Sequence, residues 1–201
     1  MVAAKTLGRT LIPLEARATR DTLRWISKEV RPTFSHVDEK GELPKMVDVS
    51  EKSVTLRKAH ARSVVRLGSA LQQAFRDQVD RKDGGKTELQ SAKGPIFSTA
   101  IVAGTMAVKK TSELIPFCHP IAIEGCDFDI RLGPQADEIV IDCIVSVHHK
   151  TGVEMEALTG SSVAALCVYD MCKSISHDMS IQDTILIRKE GGKSSPSPSR
   201  P

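Results

Sequence analysis

Aromatic residues are nearly missing from this chain: five Phe, one Tyr and one Trp make up 3% of its 201 residues. Its core must therefore be aliphatic, and a stacking platform for single-stranded nucleic acid has no material to be built from. No apolar run approaches the ~20 residues needed to span a bilayer, and none reads as the apolar stretch of a secretory signal. A large charge of one sign is also lacking. The net charge is +3, and it resides in residues 1–45, where nine Lys/Arg face six Asp/Glu, so the remainder is neutral. Bulk charge thus argues against a nucleic-acid binder, while local basic pockets stay open. The five cysteines, at 118, 126, 143, 167 and 172, include no CxxC pair and lie mostly in apolar or periodic segments. They read as buried, reduced thiols rather than a disulfide framework. No GxxxxGK[ST] loop occurs, which excludes a P-loop nucleotide site.

What remains is an ordinary globular composition, 40% apolar and 26% charged, long enough for one sizeable core. Residues 1–45 read as an N-terminal extension, with Pro32, Gly41 and Pro44 marking a linker. Its Lys5, Arg9, Arg17, Arg20, Arg24, Lys28 and Arg31 among scattered leucines are compatible with an organelle-targeting presequence. That would place the protein in the mitochondrial matrix; a surface helix on a cytoplasmic protein fits equally well. The domain proper is 46–190, and 191–201 is a polar, proline-bearing tail.

Within the domain, loose alternation over Val49–Leu67 predicts a strand, and Ser69 is placed to cap a short helix through Val79. Arg81–Gly94 is polar and glycine-bearing, hence a loop. Helical spacing runs from Ile96 to Ile115 and stops at Pro116. Cys126–Leu132 and Ile139–Val147 alternate with period two around a Gly133-Pro134 turn. A long helix from Val153 to about Ile175 and a strand over Ile181–Arg188 complete the pattern. Mixed elements without regular βαβ alternation predict an α+β fold, an antiparallel sheet with helices on one face.

The chemistry concentrates in the long helix. Asp170 and Lys173 are three apart and share a face. Glu156 lies fourteen residues earlier at nearly the same azimuth, about 20 Å away along the axis. Charges set among Ala, Val, Leu, Met and Cys are unfavourable unless they are paired or used. A second constellation follows the Ile96–Ile115 helix, where Pro116 and Pro120 bracket Phe117, Cys118 and His119. His119 can donate to an anion or move a proton near neutral pH, whereas nothing nearby in sequence supplies the base that a Cys118 nucleophile needs. Lys93, Arg57, Lys173, Lys189 and Lys193 lie near predicted element ends and together would suit a polyanion such as a triphosphate. His148 and His149, adjacent on a strand, point to opposite faces and make a poor metal chelate.

Five segments together resemble the cyclic pyranopterin monophosphate synthase family: Met46–Ser50 (MVDVS), Pro116–Pro120 (PFCHP), Lys150–Thr159 (KTGVEMEALT), Tyr169–Lys173 (YDMCK) and Gly191–Ser194 (GGKS). The resemblance implies a ferredoxin-like subunit assembling as a hexamer, a trimer of dimers, with active sites at subunit interfaces. It implies a lyase of molybdenum cofactor biosynthesis that converts cyclised dihydro-GTP, supplied by a radical SAM enzyme it could contact transiently, to cyclic pyranopterin monophosphate and pyrophosphate. No cofactor or metal is implied. Carried over to this chain, Asp170, Lys173 and Lys93 are catalytic; Phe117, Cys118, His119, Met155 and Glu156 bind substrate; Arg57, Lys189 and Lys193 hold phosphates. All five of Lys93, His119, Glu156, Asp170 and Lys173 are present, as an active enzyme rather than an inactive relative requires. Two departures stand out: Gln90-Ser91-Ala92 before Lys93 and Pro95 after Gly94 are unusual, as is His149 where a glycine is customary.

Overall fold

The computed structural model describes residues 43–80 and 88–192; nearly all of the N-terminal extension, residues 81–87 and the tail from Lys193 onward lie outside the described residues. Four long strands form one antiparallel sheet: β1 (Thr55–Leu67), β4 (Gly125–Leu132), β5 (Glu138–His149) and β6 (Met179–Glu190). Their spatial order is β4-β5-β1-β6. Between β1 and β4 come α1 (Ser69–Asp80), a minimal ladder of β2 (Gln90–Ser91) on β3 (Gly94–Pro95), α2 (Ile96–Lys109) and α3 (Thr111–Leu114). The long helix α4 (Glu154–Cys172) links β5 to β6. The α+β expectation holds.

Alternation decides which side of the sheet the helices cover. Ala59, Ala61, Ser63, Val65 and Leu67 of β1 are buried, as are Ile139, Ile141, Cys143, Val145 and Val147 of β5. These residues pack with Ala157, Ala164, Ala165 and Val168 of α4 and with Ile96, Phe97, Ala100 and Val108 of α2. The helices approach closely because Gly104 of α2 and Gly160 of α4 meet there. A Cβ on Gly104 would strike the Phe128 ring, and one on Gly160 would strike Val108 and the Cys143 sulfur.

The opposite side of the sheet is polar. Asp142, only 5% exposed, accepts hydrogen bonds from His60 (2.7 Å), Arg62 (2.8 and 3.0 Å) and Arg131 (2.7 Å). Burial alone would raise its pKa, but the hydrogen bonds from Arg62, Arg131 and His60 outweigh it and hold the carboxyl at about 2. A carboxyl whose pKa is lowered on folding stabilises the protein above its unfolded value, and that contribution is lost as pH falls through about 2. Asp142→Asn is therefore expected to destabilise the fold by about 2 kcal/mol at pH 7, with the difference shrinking below pH ~4. Denaturant unfolding at the two pH values measures it.

Several boundaries differ from expectation. Strand β1 begins at Thr55 rather than Val49, because the Asp48 carboxylate accepts from Ser50 N (2.8 Å) and the Val49 carbonyl from Lys52 N (3.1 Å), folding 48–52 into a turn. Ser69 opens α1 but does not cap it; the carbonyl of Gly68 accepts from Leu71 N and Gln72 N. The predicted Ile96–Ile115 helix breaks at Lys110 (φ −107°, ψ 11°). The Thr111 hydroxyl there bonds back to the carbonyls of Ala107 and Val108, ending α2 and starting the short α3. In the predicted Arg81–Gly94 loop, β2 turns through Ala92 and Lys93 to pair with β3. Helix α4 stops at Cys172, short of Ile175.

Candidate functional site

The structure gathers the predicted residues into two groups rather than one. The first is built on the last turn of α4. The Asp170 carboxylate accepts from Lys173 Nζ at 2.8 Å, within the helix-end spacing, and from Lys93 Nζ at 2.5 Å. Lys93 reaches it from the β2–β3 turn, where its backbone N–H donates to Ser91 Oγ (3.1 Å), and its Nζ also donates to the Asp170 carbonyl (2.9 Å). Ser91, part of the unusual run before Lys93, thus positions the lysine. One carboxylate between two ammonium groups carries a net charge of about +1.

Hydrogen bonds from Lys173 and then Lys93 hold the Asp170 carboxyl at about 2, and the same contact with Asp170 raises Lys173 above the usual lysine value. The division of labour that spacing left open follows. Near neutral pH Asp170 is ionised, so it accepts from both lysines and does not donate a proton. For Lys173 to act as a base it must first be released from Asp170, as when a bound anion or a shifting substrate charge competes for it.

The second group lines an open cleft of about 1160 Å³ between the start of α4, the end of β5, the turn at 48–52 and the segment after α3. Arg57, Phe117, Cys118, His119, Met155, Glu156 and Lys189 all face it. Arg57 is fixed from two sides. Its Nε and Nη2 donate to the carbonyls of His149 (3.2 Å) and Lys150 (3.3 Å). On the other side, Gly191 (φ 85°) and Gly192 (φ 87°) pass so near that a Cβ on Gly191 would collide with the Leu56 carbonyl and one on Gly192 with Arg57 Nη1. Only glycine suits both the backbone angle and the space. Lys189 faces the cleft while paired with Glu154 Oε1 at 3.1 Å.

Glu156 sits at the cleft wall with 4% exposure. Burial pushes its pKa up, and the charge of Glu154 adds to this against a hydrogen bond from its own backbone amide, giving about 6. Cys118 is pushed up by burial and then by the Glu156 charge, which disfavours its thiolate. His148 pairs with Glu124 (2.8 Å), while His149 Nδ1 accepts from Thr151 N (3.3 Å); the two rings serve separate local roles. Lys193 lies outside the described residues. Sequence reasoning missed Lys150, whose Nζ donates to the Ser50 carbonyl (2.6 Å) and pins the 48–52 turn, and missed Glu154 as the partner of Lys189. Both belong to the Lys150–Thr159 segment already singled out, where they could have been found.

Gly192→Ala is expected to displace Arg57 and so to weaken binding of a phosphate-bearing ligand about tenfold, through the loss of one charge-assisted contact. The loss should be largest at low ionic strength and shrink as salt rises. A KM series against salt, with Arg57→Ala as reference, checks this; equal losses at every salt concentration would point to general disruption instead.

The sequence pattern of the MoaC family matches residues 46–192. The chain is 52% identical over 168 residues to a Xanthomonas campestris protein named cyclic pyranopterin monophosphate synthase, covering 83% of this chain and 94% of that one. It is 50% identical over 169 residues to the Dictyostelium discoideum molybdenum cofactor biosynthesis protein 1, covering 81% of this chain but only 27% of that longer protein. A Synechocystis molybdenum cofactor biosynthesis bifunctional protein is 50% identical over 163 residues, which is 44% of its length.

Proposed function

Because the chain belongs to the MoaC family, we propose that it is a cyclic pyranopterin monophosphate synthase, a lyase converting cyclised dihydro-GTP to cyclic pyranopterin monophosphate with release of pyrophosphate in molybdenum cofactor biosynthesis. The two groups of residues divide the work. The cleft supplies Arg57 and Lys150 as cations and His119 as a hydrogen-bonding group for the phosphates, and Glu156 as an acceptor for the N–H edge of the guanine-derived ring. The Lys93–Asp170–Lys173 cluster supplies ammonium acids for ring opening and reclosure.

The observation that carries this reading is their separation. Glu156 and Asp170 stand on one rigid helix about 21 Å apart, a span that favours drawing them from different chains. That supports a hexamer of three dimers with active sites between subunits. The strand order β4-β5-β1-β6 with the helices on one face supports a ferredoxin-like subunit. The basic extension supports delivery to the mitochondrial matrix, where a radical SAM enzyme would hand over its product by transient contact. The test is to incubate the purified oligomer with enzymatically prepared cyclised dihydro-GTP. Formation of pterin and pyrophosphate together is expected; a folded oligomer that forms neither overturns the proposal.

A further inference from the structure

We propose that Glu88 and Gln78 are positioning residues for Lys93: they clamp the β2–β3 turn between α1 and α2 so that its lysine meets Asp170. The turn needs such help. Lys93 stands at the tip of a ladder of two residue pairs, Gln90 with Pro95 and Ser91 with Gly94, and Pro95 has no N–H to give to it. So small a hairpin does not hold its shape in water by itself. Lys93 is exposed, so burial does not fix it either.

Contacts from outside the ladder supply what it lacks. Leu89 is fully buried in the core just before β2, and its carbonyl accepts from Ile96 N at 2.9 Å. The side-chain amide of Gln78, on α1, pairs with both backbone groups of Gln90. Its Nε2 donates to the Gln90 carbonyl (2.9 Å) and its Oε1 accepts from the Gln90 N–H (2.8 Å), as a neighbouring strand would. The Glu88 carboxylate crosses to the first turn of α2 and accepts from Phe97 N (2.8 Å), Ser98 N (3.1 Å) and Ser98 Oγ (2.6 Å). Helix α2 starts after Pro95, which offers no side-chain cap. Glu88 therefore satisfies amides that the helix leaves unpaired, at the positive end of its dipole.

These ties lead to the cluster through packed helices. Helix α2 lies against α4 where Gly104 meets Gly160, and α4 carries Asp170. Holding the turn to α2 thus sets the Lys93 backbone relative to Asp170, and only the lysine side chain is left to span the gap to the carboxylate (2.5 Å) and carbonyl (2.9 Å). Neither Glu88 nor Gln78 lines the cleft; both act through Lys93.

Two readouts test this, and the first needs no turnover. The assembled protein is acylated with trace acetic anhydride at pH 8, and the modified lysines are mapped by mass spectrometry. In Glu88→Ala and in Gln78→Ala, Lys93 should acylate about two- to fivefold faster, the worth of an exposed ion pair. Lys173, held to Asp170 by helix spacing alone, should not speed up, which separates loosening of the turn from general unfolding. The second readout, turnover, rests on the synthase reading. Both variants should lower kcat about tenfold to a hundredfold with KM little changed, as a misplaced reacting group does. Glu88→Gln, which keeps one acceptor oxygen, should lose less than Glu88→Ala. On a Lys93→Ala background neither substitution should cost anything further. Unchanged acylation of Lys93, equal speeding of Lys93 and Lys173, or losses that add fully to that of Lys93→Ala overturns the proposal. Should Glu88→Ala fail to fold, Gln78→Ala decides alone. An unaltered protein without turnover would count against the synthase reading only, because the acylation pattern is read without substrate.

Discussion

Subunits carrying Lys173→Ala, reduced in turnover by about 10²–10⁴-fold as expected for loss of a general acid–base group, and subunits carrying His119→Ala, impaired in holding the substrate, should regain activity when dissociated together and reassembled. Each parental oligomer has a defect in every site. With sites shared between subunits as proposed, a random mixture leaves about a quarter of the sites with an intact cluster beside an intact cleft. Measured turnover of the reassembled mixture should approach about a quarter of that of the unaltered protein, far above the sum of the parents. Mixed oligomers that assemble yet stay inactive would show that both groups must reside on one chain, against the helix geometry. Asp170→Asn sharpens the assignment of roles. Removing the carboxylate frees Lys173 from the contact that raises its pKa, so the alkaline limb of the pH–rate profile should move downward rather than the acidic limb upward.

How much of this was legible in the sequence depends on whether the forces involved are local. Strands β4 and β5 were read correctly from alternation, because a half-buried pleated surface imposes period two whatever lies across from it. The break at Lys110 was hidden. Ile96–Ile115 keeps its apolar spacing through the interruption, and the cause is the Thr111 hydroxyl bonding backward, which hydropathy does not register. Asp170 and Lys173 were found because helical spacing puts them together. Lys93 stands 77 residues from Asp170, and only the resemblance, not the spacing, joined it to them. Asp142 was overlooked for a related reason. On a strand its position reads as solvated, and its burial becomes visible only when the register sets Arg62 opposite it and brings Arg131 from the next strand. Two groups of site residues on one long helix could be counted in advance, but that they face different surroundings is a property of the fold.

Replacing Glu156 with glutamine should make the protein more stable and less able to bind its substrate. The carboxyl is 4% exposed, and burial first, with the Glu154 charge behind it, raises its pKa to about 6. A carboxyl raised on folding binds a proton more readily in the folded than in the unfolded chain. Stability therefore declines as pH climbs from the unfolded value of 4.5 through about 6, and the loss persists above it. That loss is about 2 kcal/mol, and an uncharged glutamine escapes it. Unfolding at pH 8 should show the variant more stable by about this amount, with no difference at pH 4. Substrate binding should fall by about tenfold to a hundredfold, the value of a hydrogen bond to a charged acceptor in a dry site. Below about pH 6 binding by the unaltered protein should weaken as Glu156 protonates, while the variant shows no such titration. A variant that gains stability and binds normally would remove Glu156 from substrate recognition; one that loses stability at pH 8 would mean the buried charge has a partner that stabilises it. A carboxylate kept in an unfavourable place at the wall of a cleft is the expected mark of binding that fold stability alone would not retain.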